Sequence, residues 1–466
     1  MLQRYIDKGL FSHNIGGQIS AKDSMALKVG GNLNIESTTR TSESQVGNFS
    51  ASSTNLDRVA GLYVGNGSTK QLDPNQATLM LNVAGNSSLK GTQINNSNGA
   101  TVLNTTGNVD LGTVSVGKQE TLKIDDKNGY QLKQQQDVGS QINSAGSLLI
   151  NGQNINIKGS ELSSEQGTTQ ISATDHLNIE EGRKTSDMES QWSSKSKGVL
   201  GSTKKTSYFH NQSDEAISST IDGKNVVLNA NNIDIRGSNV VSDELTQIQA
   251  KQNVNITAAE NYSSNESQQT KKKSGLTASF SDGVASVGYS KSSSNIKQQS
   301  SNVGLTQSQI SSENGNTNII AGQDLTTQAA LLNAGKDLNL SAKNIHLNAG
   351  YTSNKQQTEI QTKQSGLSVG VTYSSALAGK SAYDKSMDAK PVVGRLEVSA
   401  GYNQVIGRQT SDAKRGWRVD FDPEKGTHIN IWDYSKGKGP DKAIKRVIPF
   451  EGNENTFKTL LKQLNR

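Results

Sequence analysis

The chain has 466 residues, of which 31% are hydrophobic and 5% aromatic, and it carries a formal net charge of +6. That apolar share is too small for a thick layered α/β core, while the modest charge and recurring Val/Ile/Leu triplets argue against disorder, so a thin repetitive stack is expected. The absence of cysteine excludes disulfides and thiolate metal sites, and no run of about 18 apolar residues offers a transmembrane helix.

Met1 to Leu10 lacks the apolar core of a signal peptide, so the reading frame is expected to be the C-terminal part of a longer exported protein rather than a cytoplasmic one. One unit then returns along the chain: a Gly or small residue, a polar residue, Asn or Asp, and alternating apolar and polar residues. It is seen in Gly30-Gly31-Asn32-Leu33-Asn34-Ile35, Gly107-Asn108-Val109-Asp110-Leu111 and Gly152-Gln153-Asn154-Ile155-Asn156-Ile157. It recurs in Asp175-His176-Leu177-Asn178-Ile179, Lys251-Gln252-Asn253-Val254-Asn255-Ile256, Gly322-Gln323-Asp324-Leu325-Thr326 and Gly335-Lys336-Asp337-Leu338-Asn339-Leu340. Each reads as a turn and a very short strand, because Gly and Asn accept left-handed backbone angles and the following residues alternate in and out. Where units follow closely, as in Ser144 to Ser163 and Asp222 to Ser242, the spacing is about 10 residues per strand, two or three strands to a coil, the spacing of a solenoid wall. Adjacent asparagines are expected to stack and hydrogen-bond along the axis.

Three polar excursions interrupt the units: residues 180–219, 259–313 and 351–377. They carry related runs, Lys197-Gly198-Val199-Leu200-Gly201, Lys273-Ser274-Gly275-Leu276-Thr277-Ala278 and Gln364-Ser365-Gly366-Leu367-Ser368-Val369-Gly370, and read as hairpins extruded from the coil. Lys271-Lys272-Lys273 within the second reads as a solvated charge cluster rather than a nucleic-acid site. His13, His176, His210 and His346 have no convergent partner set, and no phosphate loop, serine-hydrolase elbow or zinc spacing occurs.

The Gly-x-Asp/Asn-Leu-x-Leu/Ile units with Ser/Lys/Gln hairpins resemble the second repeat region of filamentous hemagglutinins and contact-dependent inhibition proteins, over about residues 15 to 375. The resemblance implies an all-β body, a right-handed parallel β-helix solenoid with extruded β-hairpins. It also implies a secreted or outer-surface protein of bacterial attachment or virulence, with a receptor on a host or neighbouring cell and an outer-membrane secretion partner. That family's N-terminal signal peptide and secretion domain have no counterpart in this sequence.

After residue 377 the texture changes. A linker-like stretch spans residues 378–391, and residues 392–466 are expected to form a small basic α+β C-terminal domain, with four of the five prolines and two of the three tryptophans lying from Pro391 onward. From Val393 to Arg466 there are 14 Lys and Arg against 9 Asp and Glu, a net +5 that leaves +1 for the rest. Leu396 to Ala400, Trp417 to Phe421, Thr427 to Trp432 and Lys445 to Phe450 are strand candidates. After Asn453, the spacing of Phe457, Leu460, Leu461 and Leu464 predicts a helix packed on the sheet.

Pairing the two central strands as a hairpin puts Arg418, Asp420, His428 and Asn430 on one face and Trp417, Val419, Phe421, Ile429 and Ile431 on the other. With Lys425, Lys436, Lys438, Lys445 and Arg446 nearby, the polar face has the chemistry to hold a phosphodiester. His428 would be the acid/base, Arg418 or Lys425 the phosphate clamp, and Asp420 the group orienting the imidazole, with Asn430, Lys436, Lys438 and Arg446 as binding residues. The bland reading of that face is a solvated His, Arg and Asp. No cofactor is expected, and no metal, since Asp420, Asp422 and His428 do not converge by spacing.

The Arg-Gly-Trp-Arg-Val-Asp-Phe-Asp-Pro-x-Lys-Gly-x-His-Ile-Asn run resembles a domain at the C-terminus of hemagglutinin-like and polymorphic-toxin proteins. Two functions follow. The first is a surface adhesin or stalk. The alternative is a contact-dependent toxin whose residues 392–466 are a metal-independent nuclease, in the first instance a ribonuclease, acting on RNA or DNA and countered by a cognate immunity protein. A carbohydrate-cleaving β-helix enzyme ranks last, because the repeats offer Asn, Thr and Ser rather than clustered acids and bases.

Overall fold

The structure, a computed structural model, describes residues 11–65, 73–281, 284–372, 395–398, 407–410, 414–422, 426–434, 443–449 and 458. By internal packing it divides into two compact units, residues 1–279 with 286–369, and residues 280–285 with 370–466.

The first unit is a parallel β-helix. Six of the seven repeat motifs form strands of a ten-stranded parallel sheet, which runs from Phe11–Ile15 through Asn32–Glu36, Ile155–Lys158 and Val254–Thr257 to Asn344–Asn348, whereas the Gly335 to Leu340 motif forms Leu338–Ser341 in the second sheet. The intervening residues form two further columns of short strands in a second sheet, separate in Gln141–Ser144 and Leu148–Gly152 and fused into one strand in Glu161–Ala173. In the ten-stranded sheet the rungs stack without register shifts: Ile155 pairs with Leu177, Ile233 with Val254 and Leu325 with Ile345, so a plain rung takes 20 to 22 residues.

Alternation places every second side chain inside. Ile35, Leu89, Leu111, Ile157, Ile179, Ile235 and Ile256 occupy consecutive rungs of one column, and all are at most 1% exposed. The outward asparagines do ladder along the axis, as Asn178 Nδ2 donates to Asn156 Oδ1 (2.8 Å) and Asn156 Nδ2 to Asp110 Oδ1 (3.1 Å). A second ladder, buried and not foreseen, runs up one corner. Thr92 N–H donates to Ser140 Oγ (3.1 Å), Ser140 N–H to Ser160 Oγ (3.0 Å) and Ser160 N–H to Ser219 Oγ (3.2 Å), satisfying amides that the corner takes out of the sheet.

Hairpins leave the body at one corner of every second rung. They are Thr38–Val46 with Phe49–Arg58, Val114–Asp125 with Asn128–Val138, Gly182–Gly198 with Gly201–Ile217, and Ala259–Ser281 with Val284–Thr306; Ser353–Thr372 follows at the same place. The first two were not anticipated as excursions. Edge to edge these strands form a nine-stranded sheet of their own. On the rungs without a hairpin the same corner is closed by one residue in the left-handed region: Gly16, Gly91, Gly159, Gly237 and Ala329, with φ of 64°, 56°, 52°, 53° and 50°.

Two outcomes follow. Ala329 pays a steric penalty that its glycine counterparts avoid, so Ala329→Gly is expected to raise stability by about 1 kcal/mol, read from a urea melt. Asp222 lies half-buried on the second sheet, where Ser163 Oγ donates to its Oδ1 at 2.5 Å. Burial raises its pKa, against the lowering by the Ser163 bond, and Asp243 raises it further. A raised carboxyl pKa means that folding favours the protonated form, so its contribution is present in acid and is lost as pH rises through the folded value. Asp222→Asn is therefore expected to raise Tm at pH 7 and to lose that advantage as the pH falls into the carboxylate range.

Candidate functional site

In the second unit the described strands are Arg395–Val398, Gly407–Thr410, Arg415–Asp422, Gly426–Asp433 and Ile444–Pro449, an antiparallel sheet in chain order. Gly407–Thr410 is additional to the four strands read from the sequence. Of the expected terminal helix only Lys458 is among the described residues, and it is helical.

The central hairpin has the register that alternation demands. Arg418 pairs with Asn430 and Asp420 with His428, so these four share a face, while Trp417 with Ile431 and Val419 with Ile429 share the other. Asp420 is the hub of the polar face. Its Oδ2 accepts from Arg418 Nε (2.7 Å) and from Asn430 Nδ2 (2.5 Å), one contact along its own strand and one across the hairpin. An ion pair with a second donor on the same oxygen is a charge-assisted bond that fixes the carboxylate.

His428 is only 7% exposed and Val419, on the opposite face, 4%, so the sheet is covered on both sides at its centre. His428 is therefore not the solvated histidine of the bland reading. Nearer the hairpin's open end Arg415 Nε lies 3.2 Å from Asp433 Oδ2, and Lys445 Nζ sits 5.8 Å from the centroid of the Tyr434 ring.

The other proposed site residues are placed less closely. Lys425, Lys436 and Lys438 lie outside the described residues. Arg446 pairs with Ile431 and so lies on the apolar face of the sheet, opposite the one that carries Asn430 and His428. Among the described residues no group of three or more His, Asp or Glu is arranged to hold a metal ion. Among them, too, no helix is long and apolar enough to cross a membrane. Arg415–Asp433 and the Lys445–Tyr434 contact were not anticipated; the strand alternation that placed the central four would have found the first pair.

Removing the hub tests this geometry. Asp420→Ala leaves Arg418 and Asn430 without their shared acceptor. It is expected to cost about 1–2 kcal/mol, the lower range for a part-exposed charged pair, in a denaturant melt followed by Trp417 and Trp432 fluorescence.

The hemagglutinin repeat family model matches residues 200–302 and 285–389, the stretch that contains the later hairpins. Among known proteins the chain is similar to the tRNA nuclease CdiA-2 of Burkholderia pseudomallei, 27% identical over 247 residues, which are 52% of this chain and 8% of that protein. It is 35% identical over 156 residues to the tRNA nuclease CdiA of Yersinia mollaretii, 33% of this chain and 5% of that protein. It is 32% identical over 146 residues to the deoxyribonuclease CdiA of Yersinia pseudotuberculosis, 31% of this chain and 13% of that protein. The chain thus spans a small part of the length of the relatives it matches, and these relatives are named for different substrates. Residues 200–389 match the hemagglutinin repeat, and over a third to a half of its length the chain is similar to contact-dependent inhibition proteins.

Proposed function

We propose that this chain is the stalk of a secreted or cell-surface adhesin-type protein, exported through an outer-membrane partner and working by holding its hairpin sheet against a receptor on a host or neighbouring cell. The observation that carries the reading is the hairpin sheet itself. Nine strands rich in Ser, Thr, Gln and Lys leave the body from one corner, and the rungs between them close that corner with a single residue. The hairpins are therefore dispensable to the rungs, and a regular array of dispensable, polar, surface-exposed strands is suited to contact.

The test is excision. Replacing residues 183–216 by a Gly-Ser corner is expected to leave far-UV circular dichroism of a β-protein and soluble expression, while cell binding by the purified chain is lost. Unchanged cell binding would place attachment elsewhere; an unfolded product would show that the hairpins are needed by the rungs.

The toxin reading keeps a specific observation in its favour, the register that sets His428 opposite Asp420 beside Arg418 and Asn430. In it His428 moves the proton, Asp420 orients the imidazole, Arg418 or Lys425 holds the phosphate of RNA or DNA, and an immunity protein protects the producing cell. Against it stands the 7% exposure of His428, which a phosphodiester would have to reach. Expressing the whole chain, wild type and His428→Ala, in a bacterial cytoplasm decides. On the stalk reading both grow normally with intact RNA and DNA; arrest with nucleic-acid cleavage, abolished by the substitution, establishes the toxin.

A further inference from the structure

The first six strands of the hairpin sheet, from Thr38–Val46 to Gly201–Ile217, have one apolar face. Residues paired directly across antiparallel strands share a face, and so do residues two apart along a strand. Phe49 pairs with Leu122, Leu122 with Tyr130, Tyr130 with Ser190 and Ser190 with Phe209, so these five form one row, which Val46 extends beyond Phe49. Leu132 and Met188, paired with each other, stand in the next row on the same face. Trp192, two residues from Ser190, stands in the row on the other side. Of the five aromatic residues on these six strands, four lie on this face and Tyr208 on the opposite one. That opposite face is polar, and it carries Lys195, Lys204 and Lys272 paired in a row of their own.

The apolar face is accessible. Val46 is 72% exposed, Trp192 39% and Met188 37%, while Phe49, Leu122, Tyr130, Leu132 and Phe209 are half-buried. A sheet with one apolar face is completed by a second layer packed on it. The carboxylate that falls within the patch is already matched in the plane of the sheet: Glu120 accepts from Lys118 Nζ (3.2 Å) and from Tyr130 Oη (3.3 Å). Covering the face would leave that carboxylate paired, which removes the main cost of burying a charge.

Size and lattice select the occupant. Six strands about 4.8 Å apart and three rows about 7 Å apart cover about 500 Å². Two such faces in contact withdraw about 1,000 Å², the threshold of a specific protein interface. A second copy of this chain brings the same strand spacing, row spacing and twist. The small Ala51, Ser190 and Ser207 interrupt the large side chains on the face, so that an opposing sheet can interdigitate as the layers of a β-sandwich do. A twofold axis lets one patch serve both copies and closes the assembly at two. A bilayer fits less well, because Glu120 lies within the face and anionic headgroups would repel it.

We propose that two copies of this chain associate through this face, packing their hairpin sheets into a two-layer sandwich. The inference goes beyond the attachment reading and does not depend on it, since the lysine-bearing face stays on the outside. Because apolar burial drives the association, added salt does not weaken it.

The test is the mass of the whole purified chain, by sedimentation equilibrium over a range of concentrations. A monomer–dimer equilibrium is expected, held or tightened as NaCl rises. Trp192→Ser with Phe209→Ser should weaken the dimer about tenfold or more, with far-UV circular dichroism unchanged. Tyr208→Ser, the loss of an aromatic from the opposite face, should dimerise as wild type. The chain has no cysteine, so a single introduced one gives a second readout that leaves the aromatics in place. A bismaleimide should link two copies of Met188→Cys and not two copies of Gln191→Cys, whose side chain lies on the other face. A monomer at every concentration, a dimer indifferent to the Trp192/Phe209 variant, or equal linking at 188 and 191 would overturn the proposal. So would a monomer that co-sediments with phosphatidylglycerol vesicles through the same residues, which would give the face to a lipid surface.

Discussion

Strands hydrogen-bonded side by side lie about 4.8 Å apart, and this spacing has to be met twice in the first unit. Along the helix axis it separates successive rungs. Across the lateral sheet it separates successive hairpin strands. A hairpin contributes two strands, so it occupies the axial length of two rungs, and a continuous lateral sheet can be fed from every second rung and no other. The chain obeys that limit: hairpins leave after Asn32–Glu36, Val109–Gly112, His176–Glu180 and Val254–Thr257, and the rungs between them turn on Gly91, Gly159 and Gly237. The left-handed corner and the hairpin are two solutions for one position in the coil.

The same spacing explains how so little apolar material suffices. A rung supplies only a few inward Leu, Ile or Val, but each is packed above and below by equivalents such as Ile157 on Leu111 and Ile179, so a thin column is fully enclosed. Polar residues that enter the interior do so as ladders. Ser140, Ser160 and Ser219 accept corner amides, and Ser87 with Thr105 form a bonded pair at 2.6 Å where an aliphatic residue is missing from the column. Stability is then a sum of neighbouring rungs, and substitutions act locally.

Several features were legible because the chain states them within a few residues. The Gly-x-Asn-apolar-polar-apolar unit declares both the turn and the inward face, and alternation around Asp422 to Gly426 was enough to set Asp420 opposite His428. Other features depend on pairings that sequence distance conceals. The hairpins at Thr38–Arg58 and Val114–Val138 are short and share the composition of the rungs, so they did not separate from them. Lys195, Lys204 and Lys272 come together only because two strand crossings happen to be in phase, and Lys272 alone reads as part of a solvated triplet. The burial of His428 depends on what covers the sheet, which the alternation of a single hairpin does not contain.

The two-rung period can be tested by breaking it. Deleting Ile155 through His176 removes one plain rung in phase, since Leu177 takes the register position of Ile155, and it brings the second and third hairpins onto adjacent rungs. Amide hydrogen exchange on this variant is the decisive measurement. The account predicts that protection persists in the inward strands such as Asn232–Arg236 and is lost in Asn128–Val138 and Gly182–Gly198, which no longer have room to pair. Undiminished protection in those two hairpin strands would show that the lateral sheet does not depend on the spacing of the rungs.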